Sequence, residues 1–179
     1  MPRANRPGGD ERVAENALLL AAARVAPAPP PPHSPRDWDY LRRAADRHGM
    51  APLLHTYLAE AAPHLAPPPV AAALQSAYWS SHFRNAQRLD HLRHLLHAAA
   101  AARVPVMPLK GAILAPRYYP TPALRPMSDL DLLVPPEATA ACAAVLGELG
   151  YREIAAPAGL LDPARRDPRH DERSFVLAQ

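Results

Sequence analysis

The sequence predicts an α+β protein: a helical N-terminal region followed by a small mixed-sheet core. Three observations carry this. Ala and Leu supply most of an apolar content of 49%, and they are the strongest helix formers. Before residue 104, apolar residues recur at helical spacing between proline breaks. From Val104 onward, short runs with β-branched residues alternate with two helical segments, about 112–119 and 137–149, and strand, helix, strand, helix, strand after a block of helices reads as α+β.

Residues 1–10 read as a disordered leader, and residues 11–103 as the helical region. Asp10 is a good N-cap for a first helix to Val25, with Val13, Ala17, Leu18, Ala21 and Ala22 at helical spacing. Pro27–Pro32 is an extended break. Ser34-Pro35 reads as N-cap and first helical position of a second helix, through Trp38, Leu41 and Ala45 to His48, with Gly49 ending it. A third helix spans about 51–62, and Pro63–Pro69 breaks the chain again. The longest helix follows, about 70–103, free of Pro and Gly. Leu74, Ala77, Tyr78, Phe83, Leu89, Leu92, Leu95 and Leu96 can form its apolar face, with Arg84, Arg88, Asp90 and Arg93 pointing elsewhere. Trp38, Tyr78 and Trp79 read as packing residues.

Residues 104–179 form the predicted core. Val104–Leu109 reads as a strand, with Pro105 and Pro108 suited to a strand start or an edge. A second strand spans Asp129–Val134, bounded by Pro126 and Pro135-Pro136. A helix over 137–149 closes at Gly150. Strands at 151–154 and 173–177 complete the order.

Composition narrows the function classes. A net charge of +3 and a pI near 9.3 come without a dense basic run, which argues against a nucleic-acid-binding module. The single cysteine, Cys142, rules out an internal disulfide framework and a multi-cysteine zinc site, and reads as a small buried hydrophobe. Apolar runs fall short of the roughly 20 residues of a membrane span. No signal core follows the N-terminus, so a cytoplasmic location and no membrane or disulfide partner are expected. Lys110 is the one lysine among 20 basic residues, as in a chain from a GC-rich genome that writes Arg wherever a plain charge suffices.

Chemistry concentrates between Val104 and Val134. In a strand, Asp129 and Asp131 project to one side, with Leu130 and Leu132 on the other. Two such carboxylates repel by roughly 4 kcal/mol at 4 Å and an effective dielectric of 20. A proton or a cation relieves this, and hard oxygen ligands completed by water and phosphate suit Mg²⁺. Two solvated acids at a strand end are the alternative. Upstream, Leu109-Lys110-Gly111 leads from a strand into a helix. Glycine lets backbone N–H groups approach a phosphate there, and Lys110 adds a compact charge in a role where Arg is no simple substitute.

The run Leu109-Lys110-Gly111 … Tyr118-Tyr119-Pro120 … Leu124-Arg125-Pro126-Met127-Ser128-Asp129-Leu130-Asp131-Leu132-Leu133-Val134 resembles an uncharacterised nucleotidyltransferase family. That family's hallmark is L-K-G followed by R-x-x-x-D-[IL]-D-L-L-V, and Gly150-Tyr151 resembles its next step. The resemblance implies a polymerase-β-like nucleotidyltransferase core. Asp129 and Asp131 are then catalytic metal ligands for two Mg²⁺ (or Mn²⁺). Lys110 and Gly111 form the phosphate turn, and Arg125 and Ser128 join the nucleotide site. The partners implied are an NTP and an acceptor hydroxyl on a small molecule, protein or RNA.

Two features depart from the superfamily. Lys-Gly stands where Gly-Ser or Gly-Gly is usual, and Pro116 interrupts the helix after the turn. A third carboxylate on a later strand is not assigned: Asp162, Asp167, Asp171 and Glu172 lie in a Pro- and Arg-rich stretch, and a core incomplete at the C-terminus is expected. The alternative function is a catalytically degenerate member, sensing nucleotides or contacting proteins. Arg125 serves equally as a structural salt bridge. His91, His94 and His97 lack H-E-x-x-H spacing and read as exposed helix residues.

Overall fold

A computed structural model describes residues 12–24, 29–31, 34–154 and 173–177. The expected leader and the Asp10 cap lie outside these residues. The chain divides into two compact units, Met1–Leu89 with Lys110–Leu130 and Asp90–Leu109 with Asp131–Gln179.

The first unit holds α1 (Val13–Ala22), α2 (Trp38–Arg47), α3 (Ala51–Ala61), the first part of α4 (Pro68–Ala101), α5 (Gly111–Tyr118) and a 3-10 turn at Pro122–Leu124. Leu18, Leu41, Leu54 and Leu74 are its most deeply buried large side chains. They bring α1, α2, α3 and the start of α4 onto one apolar cluster. Trp38 and Ala77 pack on its margin.

The start of α2 differs from the expected Ser34-Pro35 cap. Glu15 on α1 is buried, and its Oε1 accepts the N–H groups of Arg36 at 2.7 Å and Asp37 at 2.9 Å. Asp37 then caps the helix, its carboxylate accepting from Tyr40 N–H at 2.8 Å. Helix formation therefore starts where the donors taken by Glu15 end. Gly49, at φ +65°, closes α2. The N–H of Met50 reaches back to the carbonyl of Ala45 at 2.7 Å, the wrap that a left-handed glycine permits.

In α4 the inward stripe runs through Leu74, Tyr78, Ser81, Asn85, Arg88, Leu92, Leu95 and Ala99, at alternating steps of four and three; Tyr78 and Arg88 are half-buried and the rest buried. Three polar residues thus occupy its middle. Phe83, expected on the apolar face, is 64% exposed, and Trp79, expected in packing, is 48% exposed. At 100° per residue both lie about half a turn from Ser81 and Asn85. Among the described residues their rings meet those of Tyr78, His82 and each other.

The second unit holds the rest of α4, β1 (Met107–Pro108), β2 (Leu132–Leu133), a 3-10 turn at Pro136–Ala138, α6 (Thr139–Glu148), β3 (Tyr151–Ile154) and β4 (Ser174–Leu177). β1 and β2 pair antiparallel with Met107 opposite Leu133 and Pro108 opposite Leu132. One further bond, from Leu109 N–H to the Asp131 carbonyl at 2.9 Å, extends the pairing. The strands predicted over 104–109 and 129–134 are therefore much shorter as ladders. Pro105 and Pro108 have no N–H to give, which limits the pairing. β3 and β4 form a second antiparallel ladder, Tyr151 opposite Leu177 through Ile154 opposite Ser174. The α+β class holds. Where one small mixed sheet is predicted, the described strands form two antiparallel pairs.

Leu95, Ala99, Val104, Cys142, Val145 and Leu146 form this unit's core, with Leu132, Val134 and Phe175 packed against it. Burial pushes the Cys142 thiol pKa up, as for an inert core cysteine. Gly150, at φ +85°, ends the α6 region as predicted.

Candidate functional site

The turn after β1 is conformationally unusual. Lys110 sits at φ 47° and ψ −121°, a region costly for a residue with a side chain. Its carbonyl accepts from the N–H groups of Ile113 at 3.2 Å and Leu114 at 2.9 Å, opening α5. The positive φ thus falls on Lys110 and not on the glycine after it. Gly111 instead makes room for a neighbour: a Cβ there would stand 2.8 Å from Met127 Cγ and 3.0 Å from Met127 Sδ. Pro116 lies inside α5 and removes the N–H that would bond the Ala112 carbonyl. The helix ends two residues later.

Met127 belongs to the Arg125–Asp129 loop, which α4 holds from its inward stripe. The Asn85 side-chain amide donates to the carbonyls of Pro122 at 2.7 Å and Arg125 at 2.9 Å, and its Oδ1 accepts from Met127 N–H at 3.2 Å. Ser81 Oγ donates to the Ala123 carbonyl at 2.7 Å. Arg88, expected to point elsewhere, donates from Nη2 to the Ser128 carbonyl at 3.0 Å. Within the loop, Ser128 Oγ donates to Asp129 Oδ1 at 3.1 Å, and Arg125 Nη1 donates to the Pro126 carbonyl at 3.0 Å. The salt bridge considered for Arg125 has no carboxylate partner among the described residues.

Asp129 lies in a bend and is exposed; Asp131 is half-buried and immediately precedes β2. The strand that would align their side chains therefore begins after both of them. Asp131 belongs to the second unit, where its carbonyl takes the Leu109 N–H. No arginine or lysine ion pair occupies Asp129 among the described residues. A carboxylate so placed, of hard oxygen chemistry, fits a magnesium ligand. Among the described residues no group of three or more His, Cys, Asp or Glu side chains converges. Asp162, Asp167, Asp171 and Glu172 lie outside them.

Of the three histidines on α4, His91 Nδ1 lies 3.2 Å from the Tyr151 hydroxyl and His94 lies 3.4 Å from Asp90. All three are exposed. No helix among the described residues is long and apolar enough to cross a membrane.

A family model described as an uncharacterised nucleotidyltransferase matches residues 34–176. The chain belongs to this nucleotidyltransferase family. Neither a curated protein nor a solved structure matches it. The family match begins ahead of α2 and runs into β4, so it takes in Ser81, Asn85 and Arg88 together with the Lys110–Asp131 motif. Those three residues were not identified from the sequence as part of the site. Their signal was present, since polar residues at 81, 85 and 88 continue the spacing of Leu74, Leu92 and Leu95. A buried stripe interrupted by hydrogen-bonding side chains requires polar partners opposite it.

Proposed function

We propose that this nucleotidyltransferase-family chain moves a nucleoside monophosphate from an NTP to an acceptor hydroxyl. The observation that carries the reading is the contact of Gly111 with Met127. It packs the Lys110–Gly111 turn on the Arg125–Asp129 loop, so the two parts of the family motif within this unit are built together.

In this reading the acceptor oxygen bonds to the α-phosphorus, and the bond from that phosphorus to the oxygen leading to the β-phosphate breaks. Pyrophosphate leaves with the electron pair, and the hydroxyl proton passes to solvent. Asp129 and Asp131 would hold Mg²⁺, which when bound supplies charge neutralisation and lowers the acceptor's pKa. The chain's own work is binding and orientation. Lys110 and the N–H groups opening α5 face the phosphates, and Arg125 and Ser128 hold the loop that presents Asp129.

The test is pyrophosphate release from each NTP with Mg²⁺ and cell extract as acceptor. Turnover lost in both Asp129→Asn and Asp131→Asn, with metal binding measured by calorimetry also weakened, is the expected result. NTP binding without turnover would favour the sensing alternative. Unchanged metal binding in the double variant would refute the assignment of the two aspartates.

A further inference from the structure

Arg88 stands at an inward position of α4, yet it lies outside the motif that defines the family resemblance. Arg88 is half-buried and its bond to the loop is solvent-exposed, so the other N–H donors of its guanidinium are open to water or to a ligand. Among the described residues Arg88 makes one hydrogen bond, to the Ser128 carbonyl at 3.0 Å, and no ion pair. Arg125 is in the same condition, half-buried with one bond to the Pro126 carbonyl. Two cations are therefore tied to carbonyls two residues apart in one loop, and neither is neutralised by a described carboxylate.

The surrounding sequence deepens the imbalance. From Ala61 to Ser128 the chain has one acid, Asp90, against Arg84, Arg88, Arg93, Arg103, Lys110, Arg117 and Arg125. Asp90 is engaged by Arg93 and His94. In the loop itself the one acid is Asp129, directly after the Ser128 carbonyl on which Arg88 is fixed, and no arginine or lysine pairs with it among the described residues. The helix also positions this side chain with care: Asn85, one turn earlier, fixes the loop by three hydrogen bonds. A residue tethered to the carbonyl just before Asp129 is held near whatever that aspartate binds.

We infer that Arg88 is a phosphate-binding residue of the nucleotide site, contributed by the long helix. It holds the polyphosphate through its remaining N–H donors while one stays on the Ser128 carbonyl. The inference rests on the nucleotidyltransferase reading and extends it to a residue of the helical region. Guanidinium suits this task because its planar fork matches two phosphate oxygens at once.

Calorimetry with ATP, ADP, AMP and adenosine in Mg²⁺ tests it, comparing the unaltered chain with Arg88→Gln, Arg88→Lys and Arg84→Gln. Arg84 is exposed one turn away and carries the same charge. Arg88→Gln should lower ATP affinity by about 10–100-fold, ADP less, and adenosine not at all. Arg88→Lys should keep the fold and recover part of the loss, while Arg84→Gln should match the unaltered chain. Equal losses for ATP and adenosine, or equal effects of the two glutamine variants, would overturn the inference and leave Arg88 as a loop tether. Unchanged ATP binding in Arg88→Gln would overturn it too, with the broader reading intact. Failure of the unaltered chain to bind any NTP would remove both.

Discussion

Met127 Cγ stands 2.8 Å from where a Cβ on Gly111 would lie. The glycine of the Lys110–Gly111 turn is therefore fixed by its neighbour across the loop and not by its own φ. Gly111→Ala should destabilise the protein by about 1–3 kcal/mol through overpacking. Met127→Ala removes the clashing atoms, so the double variant should lose less than the sum of the singles. A denaturant double-variant cycle measures this coupling, and strict additivity would show that the contact does not limit the turn.

Asn85 gives the second prediction. Its amide makes two donor bonds and one acceptor bond to the loop, and the side chain is buried. Asn85→Asp keeps the shape but replaces donors by lone pairs facing the carbonyls of Pro122 and Arg125. It should cost about 2–4 kcal/mol, summing the penalties of the unsatisfied groups. Urea melts at neutral pH would show it. A loss under 0.5 kcal/mol would mean the loop holds its shape without this side chain.

Lys110 separates stability from binding. With φ at 47°, Lys110→Gly relieves a backbone conformation costing about 1 kcal/mol or more. The variant should melt higher than Lys110→Ala, which loses the same side chain but keeps the strained backbone, while binding NTP more weakly than the unaltered chain. Lys110→Ala keeps the backbone strain and should weaken NTP far more than the nucleoside. Equal binding of NTP by all three proteins would remove Lys110 from the phosphate site.

Glu15 predicts a pH dependence. Burial acts to raise its pKa, and Asp37 adds to that. Hydrogen bonds from the backbone N–H groups of Asp37, Glu15 and Arg36 outweigh both and hold it below the ordinary carboxylate value. A folded-state pKa below the unfolded one means the stabilisation is complete above about pH 4.3. It is then lost as pH falls through the folded value. Unfolding free energy measured between neutral and acidic pH should fall more steeply for the unaltered chain than for Glu15→Gln. Parallel curves would show that the carboxylate charge plays no part in starting α2.

The sequence by itself determined the element order, the α+β class and the family. Each rests on information that is local in the chain: Pro and Gly punctuation, helical periodicity, and the order of Leu109-Lys110-Gly111 before Arg125 and Asp129-Leu130-Asp131. The ends of α2 and α6 at Gly49 and Gly150 were legible for the same reason, because a left-handed cap depends on one residue's φ. Only the tertiary structure decided what required a distant partner. Glu15 moved the start of α2 from Ser34 to Asp37, because the N–H groups it accepts come from a segment more than 20 residues away. Arg88 and Asn85 joined the loop before Asp129 because a helix face is read by what it meets, and their partners lie about 40 residues on. The glycine at 111 was visible as a turn residue. That it makes room for Met127 was not, because excluded volume belongs to the packed chain and leaves no mark on local sequence.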